Sequence, residues 1–217
     1  MDDRPHKVER HTPRRWAVVD ELNFLDMLPG IYFIFSRNGC DQAVDQCINA
    51  GLELTTSDEV QQIRRIVDEM VEGQLSQEDL KALHFSQFRF ALEEGFAPHH
   101  AGMVALFRQI VERLFEKGLV KMVFATETLA LGINMPARCV VVEKLEKFDG
   151  TGHVGLTPGE FTQLTGRAGR RGIDASDMPL WWTTMVLFPP LRPPCPANEC
   201  IRFTQASDRP SIWLSIY

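Results

Sequence analysis

The feature that most constrains the fold is a repeated switch of hydrophobic period. Residues 31–35 form a short apolar run behind Pro29-Gly30, and after a turn at Asn38-Gly39 the chain places Cys40, Ala43, Val44, Cys47 and Ile48 at helical spacing. The same switch recurs downstream. Phe107, Ile110, Val111, Leu114 and Phe115 make one helical stripe, Gly118 closes it, and residues 121–125 read as the next strand, with 138–143 as another. Thr157, Pro158 and Glu160 supply an N-cap, a first-turn proline and a capping carboxylate, so a helix is expected through Leu164. Between these segments, residues 56–94 are charged and helical in period, with capping-box spacing at Thr56/Glu59 and a second start at Ser76/Asp79. The pattern predicts an α/β fold: a parallel sheet with helices on both faces and an all-helical insertion over 56–94.

Composition narrows the function classes. With 217 residues and 44% apolar content the chain can bury a core, and a net charge of −6 argues against a general basic coat for nucleic acid, while leaving room for a local basic cleft. Five cysteines without regular spacing suggest a reducing compartment and core roles; Cys40, Cys47 and Cys139 all fall on apolar faces. The polar N-terminus does not read as a signal peptide, and no apolar run approaches the roughly 20 residues of a membrane span. A soluble, cytoplasmic protein without a membrane partner is expected.

Two segments could carry chemistry. In 163–171, Gln163-Leu164-Thr165-Gly166-Arg167-Ala168-Gly169-Arg170-Arg171, two guanidinium groups three residues apart can converge on a polyphosphate from one helical turn, and the flanking glycines let the backbone come close. Arginines near a helix C-terminus also suit the helix dipole, so a solvated basic end fits the same residues. In 123–136 a strand ends in polar Thr126 and Glu127 before a turn with Gly132 and Asn134. Ligands of open α/β sheets sit beyond the carboxyl ends of strands, although an ordinary capped loop would look alike. His99 and His100 lack Cys or carboxylate neighbours at metal spacing, so no metal site is expected.

Residues 126–136, TETLALGINMP, and 163–174, QLTGRAGRRGID, resemble motifs V and VI of superfamily 2 helicases, specifically the DExH-box RNA helicases of the superkiller (Ski) and HelY type. Residues 33–37, FIFSR, resemble motif IV, and 99–103, HHAGM, resemble the turn before an RNA-facing helix. The resemblance covers about residues 29–175 and implies a RecA-like domain, the second of the two that clamp ATP and a single strand between them. It implies that Arg167 and Arg170 are arginine fingers, with Gln163 at the same phosphate or its attacking water. Gly132, Asn134 and Gly166 would line the nucleotide. Thr126, Glu127, Arg37, His100 and the helix start at Ala101-Gly102 would lie along the RNA.

Such helicases also need a GxxxxGK[ST] loop and a DExH box to hold ATP and Mg2+. The sequence contains no Gly-Lys dipeptide, and Asp58-Glu59-Val60-Gln61 opens a charged helix where a buried strand end is needed. The expectation is half an ATP site, inactive without a first RecA-like domain that is missing here, and binding single-stranded RNA, with DNA possible. A stand-alone RNA-binding or partner-docking module, or a fragment of a DNA helicase, is the alternative.

Residues 1–28 read as a connecting segment and 29–175 as the domain. From Ser176 to Tyr217 the composition changes: 42 residues hold 7 of the 13 prolines and 3 of the 4 tryptophans, with no Gly, Lys or His. Shifted by one nucleotide, single-codon residues force the outcome: Met178 before Pro179 gives Ala, Trp181 before Trp182 Val, Trp182 before Thr183 Asp, and Met185 before Val186 Gly. With permissive choices elsewhere the shifted reading yields the strand that resembles the family after motif VI. An irregular, out-of-frame tail from a single-base change near Ala175 is therefore expected, with the native chain continuing.

Overall fold

The computed structural model describes residues 13–127, 129, 137–144, 146–148 and 151–165. Among them the order is α1 (Arg15–Phe24), β1 (Gly30–Phe33), α2 (Arg37–Asn49), α3 (Ser57–Val71), α4 (Gln77–Ala82), α5 (Phe85–Glu93), β2 (Phe96–His99), α6 (Ala105–Glu116), β3 (Met122–Ala125), β4 (Cys139–Val142), β5 (Glu146–Phe148), β6 (His153–Gly155) and α7 (Pro158–Thr165). Four strands pair in the order β2-β3-β1-β4, every pairing parallel, while β5 and β6 form a separate antiparallel pair. This is the parallel α/β architecture that the alternating periods predict, and it agrees with the RecA-like fold that the motif resemblance implies.

The period of two along each strand divides the core into two layers. Ile31, Phe33, Ala97, Val123, Ala125, Val140 and Val142 face one side, against α3, α5, α6 and α7. Tyr32, Ile34, Phe96, Met122, Phe124, Cys139 and Val141 face the other, against α1 and α2. The predicted stripe of α6 is buried along its whole length, from Phe107 through Phe115. Each such side chain contributes about 1.5–3 kcal/mol of transfer free energy, so the stripe holds α6 firmly on this face of the sheet.

Three local readings are corrected by the structure. The turn expected at Asn38-Gly39 lies inside α2: Ser36 is the N-cap, its hydroxyl accepting from the Gly39 N–H at 3.1 Å. Glycine is needed there for close approach, because a Cβ would lie 2.8 Å from Ile34 Cγ2. Residues 15–24, grouped with the connecting segment, form a helix that buries Val18, Val19 and Leu22. The strand β2 was not anticipated. It is an edge strand, where Pro98 can lack an N–H without breaking a central ladder.

The helical insertion follows its predicted caps. Thr56 and Ser76 each accept from the backbone N–H three residues on, and Glu59 and Asp79 reach back to complete both capping boxes. Ile63, Val67 and Val71 turn inward, and Phe88 stacks on Phe107 of α6 with centroids 4.4 Å apart, which pins the insertion to the sheet layer.

Candidate functional site at the strand ends

Parallel register brings three chain segments to one edge. Phe33 and His99 both pair with Ala125, so β1, β2 and β3 end at the same level. The Ile34 N–H donates to the Ala125 carbonyl at 2.8 Å and the Thr126 N–H to the His99 carbonyl at 3.3 Å, which ties the exits together. From these exits come Arg37, at the start of α2, the segment His100-Ala101-Gly102, and Thr126-Glu127.

Adjacent residues at the end of β2 point to opposite faces of the sheet. His99 meets Glu112 of α6, with Nε2 2.9 Å from Oε1, and His100 meets Asp41 of α2, with Nε2 3.1 Å from Oδ1. Burial holds the His99 imidazole below its ordinary range, a shift that the Glu112 carboxylate opposes and Arg108 reinforces. The Nδ1 atoms of both rings are buried and have no hydrogen-bond partner among the described residues. Gly102 lies against this pair: a Cβ added there would sit 3.2 Å from His100 Nδ1 and 3.4 Å from Arg37 Cδ.

Among the expected site residues, the structure therefore brings together Arg37, His100 and Gly102, with Thr126 bound to the neighbouring strand end. Arg37, Ala101, Gly102 and Glu127 are exposed, whereas Thr126 is buried to 7% exposure. Arg37 has no carboxylate within ion-pair distance among the described residues. The helix start expected at Ala101-Gly102 is displaced. Those residues lie in a turn closed by the Met103 N–H to the His100 carbonyl at 3.1 Å, and α6 begins at Ala105 behind Val104, which offers no capping side chain. The first-turn N–H groups of α6 thus face the edge without a side-chain cap, a favourable setting for an anion.

Gln163 is exposed on α7, which Phe161 and Leu164 anchor to the α6 layer. Thr157 and Glu160 form the expected capping contacts, and Lys147 of β5 pairs with Glu160. The hydrogen bond from Lys147 and those from Thr157 lower the Glu160 carboxyl to about 2. Arg167, Arg170, Gly166, Gly132 and Asn134 lie outside the described residues.

Five residues were not singled out from the sequence: Asp41, Glu112, Arg108, and the pair Arg15 with Glu143. Arg15 of α1 grips Glu143, just beyond β4, with Nη2 3.0 Å from Oε1, and its Nη1 donates to the Gly39 carbonyl at 3.2 Å. A separation of 128 residues between Arg15 and Glu143 leaves no local signal. The thiols of Cys40, Cys47 and Cys139 are buried, which pushes each up to about 12, so they pack as core groups. Among the described residues no group of three His, Cys, Asp or Glu could hold a metal ion, and no helix is long and apolar enough to cross a membrane.

A four-stranded parallel sheet between helical layers, with polar groups converging at its carboxyl edge, defines a RecA-like domain. Residues 67–172 match the family model described as the helicase conserved C-terminal domain. The chain is 56% identical over 162 residues to the probable helicase HelY of Mycobacterium tuberculosis, covering 75% of this chain and 18% of that protein. It is 38% identical over 159 residues to the antiviral helicase SKI2 of Saccharomyces cerevisiae, 73% of this chain and 12% of the relative. Superkiller complex protein 2 of Homo sapiens is 42% identical over 164 residues, again 73% and 12%. The chain belongs to the DExH-box helicases of the HelY and Ski2 type and corresponds to their helicase C-terminal domain. It spans less than a fifth of the length of these relatives, 18% at most.

Proposed function

We propose that this chain is the second RecA-like domain of an ATP-dependent RNA helicase and supplies one wall of the ATP site and part of the single-stranded RNA path. The observation that carries the reading is the convergence of Arg37, His100, Gly102 and Thr126 at the ends of three adjacent parallel strands. Arg37 neutralises a phosphate, Thr126 offers its hydroxyl, and backbone N–H groups of the 101–102 turn and of the first turn of α6 donate to phosphate oxygens. His100 and Glu127 border the same strand of RNA. Gln163, Arg167 and Arg170 belong to the ATP side, where paired guanidinium groups offset charge that develops in phosphoryl transfer, an effect worth roughly 10³ to 10⁵ in rate. Gly132, Asn134 and Gly166 line the nucleotide.

ATP and Mg2+ are held only together with a first RecA-like domain carrying the phosphate loop and DExH box, so this chain alone turns over no ATP. The buried free thiols suit a reducing, cytoplasmic setting. Fluorescence anisotropy of the purified 217-residue chain with a labelled single-stranded RNA tests the path: weak, salt-dependent binding that Arg37→Ala reduces is expected, and salt-independent binding or none overturns it. RNA-stimulated phosphate release from the same sample would overturn the inactivity.

We further propose that residues 176–217 are translated out of frame. The end of the family match at residue 172, just before the change in composition, supports this reading. The nucleotide sequence decides: without a single-base change near codon 175 that restores an open frame, the proposal fails.

A further inference from the structure

We propose that His100 selects RNA over DNA by accepting a hydrogen bond from a ribose 2′-hydroxyl at Nδ1; this rests on the strand-end reading above and names its substrate class. Nε2 of His100 lies 3.1 Å from Asp41 Oδ1, and an ionised carboxylate only accepts, so Nε2 carries the hydrogen. In the neutral ring Nδ1 is then a lone-pair acceptor. It is buried and has no hydrogen-bond partner among the described residues, on a side chain that is only 8% exposed. Buried polar atoms are nearly always satisfied, and those that are not ask for a reason.

The place of this atom supplies one. Gly102 covers Nδ1 and has no side chain; a Cβ there would stand 3.2 Å from Nδ1 and 3.4 Å from Cδ of Arg37. Gly102 is thus bordered by Nδ1 on one side and, on another, by the aliphatic stem of an exposed arginine that has no ion-pair partner among the described residues. When the guanidinium of Arg37 moves to a phosphate, its stem leaves the glycine notch and Nδ1 faces the sugar attached to that phosphate. Phosphate oxygens at neutral pH carry no proton to give. On the backbone the donor nearest a phosphate is the 2′-hydroxyl, which DNA lacks. His99 cannot play this role, because its ring points to the opposite face of the sheet and meets Glu112 of α6.

The test uses the 217-residue chain and four labelled 12-mers of one sequence: RNA, DNA, 2′-O-methyl RNA and 2′-fluoro RNA. One neutral hydrogen bond corresponds to roughly a fivefold preference. RNA is expected to bind about fivefold more tightly than DNA, with the 2′-fluoro and 2′-O-methyl strands at the DNA level because neither donates. His100→Phe should bring RNA down to DNA, and His100→Asn, whose amide oxygen can replace Nδ1, should keep part of the preference. If His100→Phe does not fold, the four strands on the unaltered chain still decide. Equal binding of all four strands overturns the inference and leaves the RNA path standing. The RNA and DNA strands are also compared in a second base sequence, and a sequence preference that survives in DNA assigns the contact to a base and also overturns the inference. No binding of any strand overturns the path and the inference together.

Discussion

Two clusters of charge in this molecule contrast in one respect. On the seam of the helical insertion Arg64, Arg89, Asp68 and Glu93 are paired with one another: Arg64 Nη2 lies 2.6 Å from Glu93 Oε2, Arg89 Nε lies 3.1 Å from Glu93 Oε1, and Arg89 Nη1 lies 2.6 Å from Asp68. The Thr55 hydroxyl donates to the Glu93 carbonyl, and Lys121 reaches Glu59. At the strand ends, Arg37 has no ion-pair partner among the described residues and Nδ1 of His100 has no hydrogen bond. A saturated cluster has nothing left to offer a ligand and acts on stability. An unsaturated cluster held open by a rigid sheet edge adds little to stability and is available for binding.

The contrast breaks if changes on the seam alter RNA binding, and the largest effects should come from beneath it. Ile63→Ala removes a fully buried side chain of α3 and should lower unfolding free energy by about 2–4 kcal/mol in urea melts, with RNA affinity per folded molecule unchanged. Arg89→Ala comes next. It takes away two partners at once, leaving Asp68 unpaired and Glu93, itself mostly buried, with Arg64 alone. Solvent screens Asp68 and most of Arg64, so a loss of about 1–2 kcal/mol is expected. A drop in RNA affinity for either variant would contradict the division of labour.

Arg37→Ala reverses the pattern. An exposed arginine without a partner should change stability by no more than about 0.5 kcal/mol, while RNA binding weakens and the slope of log K against log salt falls in magnitude by about 0.7, one phosphate contact on a single strand. A melting temperature that falls while the salt slope stays fixed would make Arg37 structural.

How far the sequence disclosed this arrangement depends on the range of each interaction. The caps at Thr56, Ser76 and Thr157 were legible because donor and acceptor stand three residues apart. The stripe of α6 was legible because its period is complete. The strand β2 was not, because four residues with Pro98 among them show neither alternation nor β-branched enrichment, and the edge position that tolerates proline is a property of the sheet. Asn38-Gly39 looked like a turn, yet the glycine answers to Ile34, which presses on it across the strand-to-helix corner. At the site, Arg37, His100, Gly102 and Thr126 came from motif resemblance. Asp41 and Glu112, which fix the two imidazoles, stand 59 and 13 residues from them and carry no motif signal.

The smallest effect expected is in pH dependence, and it tests the buried histidine on the α6 face of the sheet. Burial lowers the His99 pKa from the ordinary 6.5, with the hydrogen bond that His99 donates to Glu112 offsetting part of the effect. In the unfolded chain His99 takes up its proton as pH falls through about 6.5, while the native ring stays neutral to a lower pH. The unfolded state then binds more protons, so stability is full above that value and declines as pH falls below it. The carboxylates with lowered values, Glu59, Glu93 and Glu160, lose their contribution only as pH falls through and below the ordinary 4.5, which leaves the interval from pH 7.5 to 5.5 for the His99 imidazole. His99→Gln places an amide N–H where Nε2 donates and cannot titrate. Thermal melts should show a smaller loss between pH 7.5 and 5.5 for this variant than for the unaltered chain. An equal loss would mean that His99 takes up its proton alike in the folded and unfolded states, and would remove burial of His99 as the source of acid sensitivity.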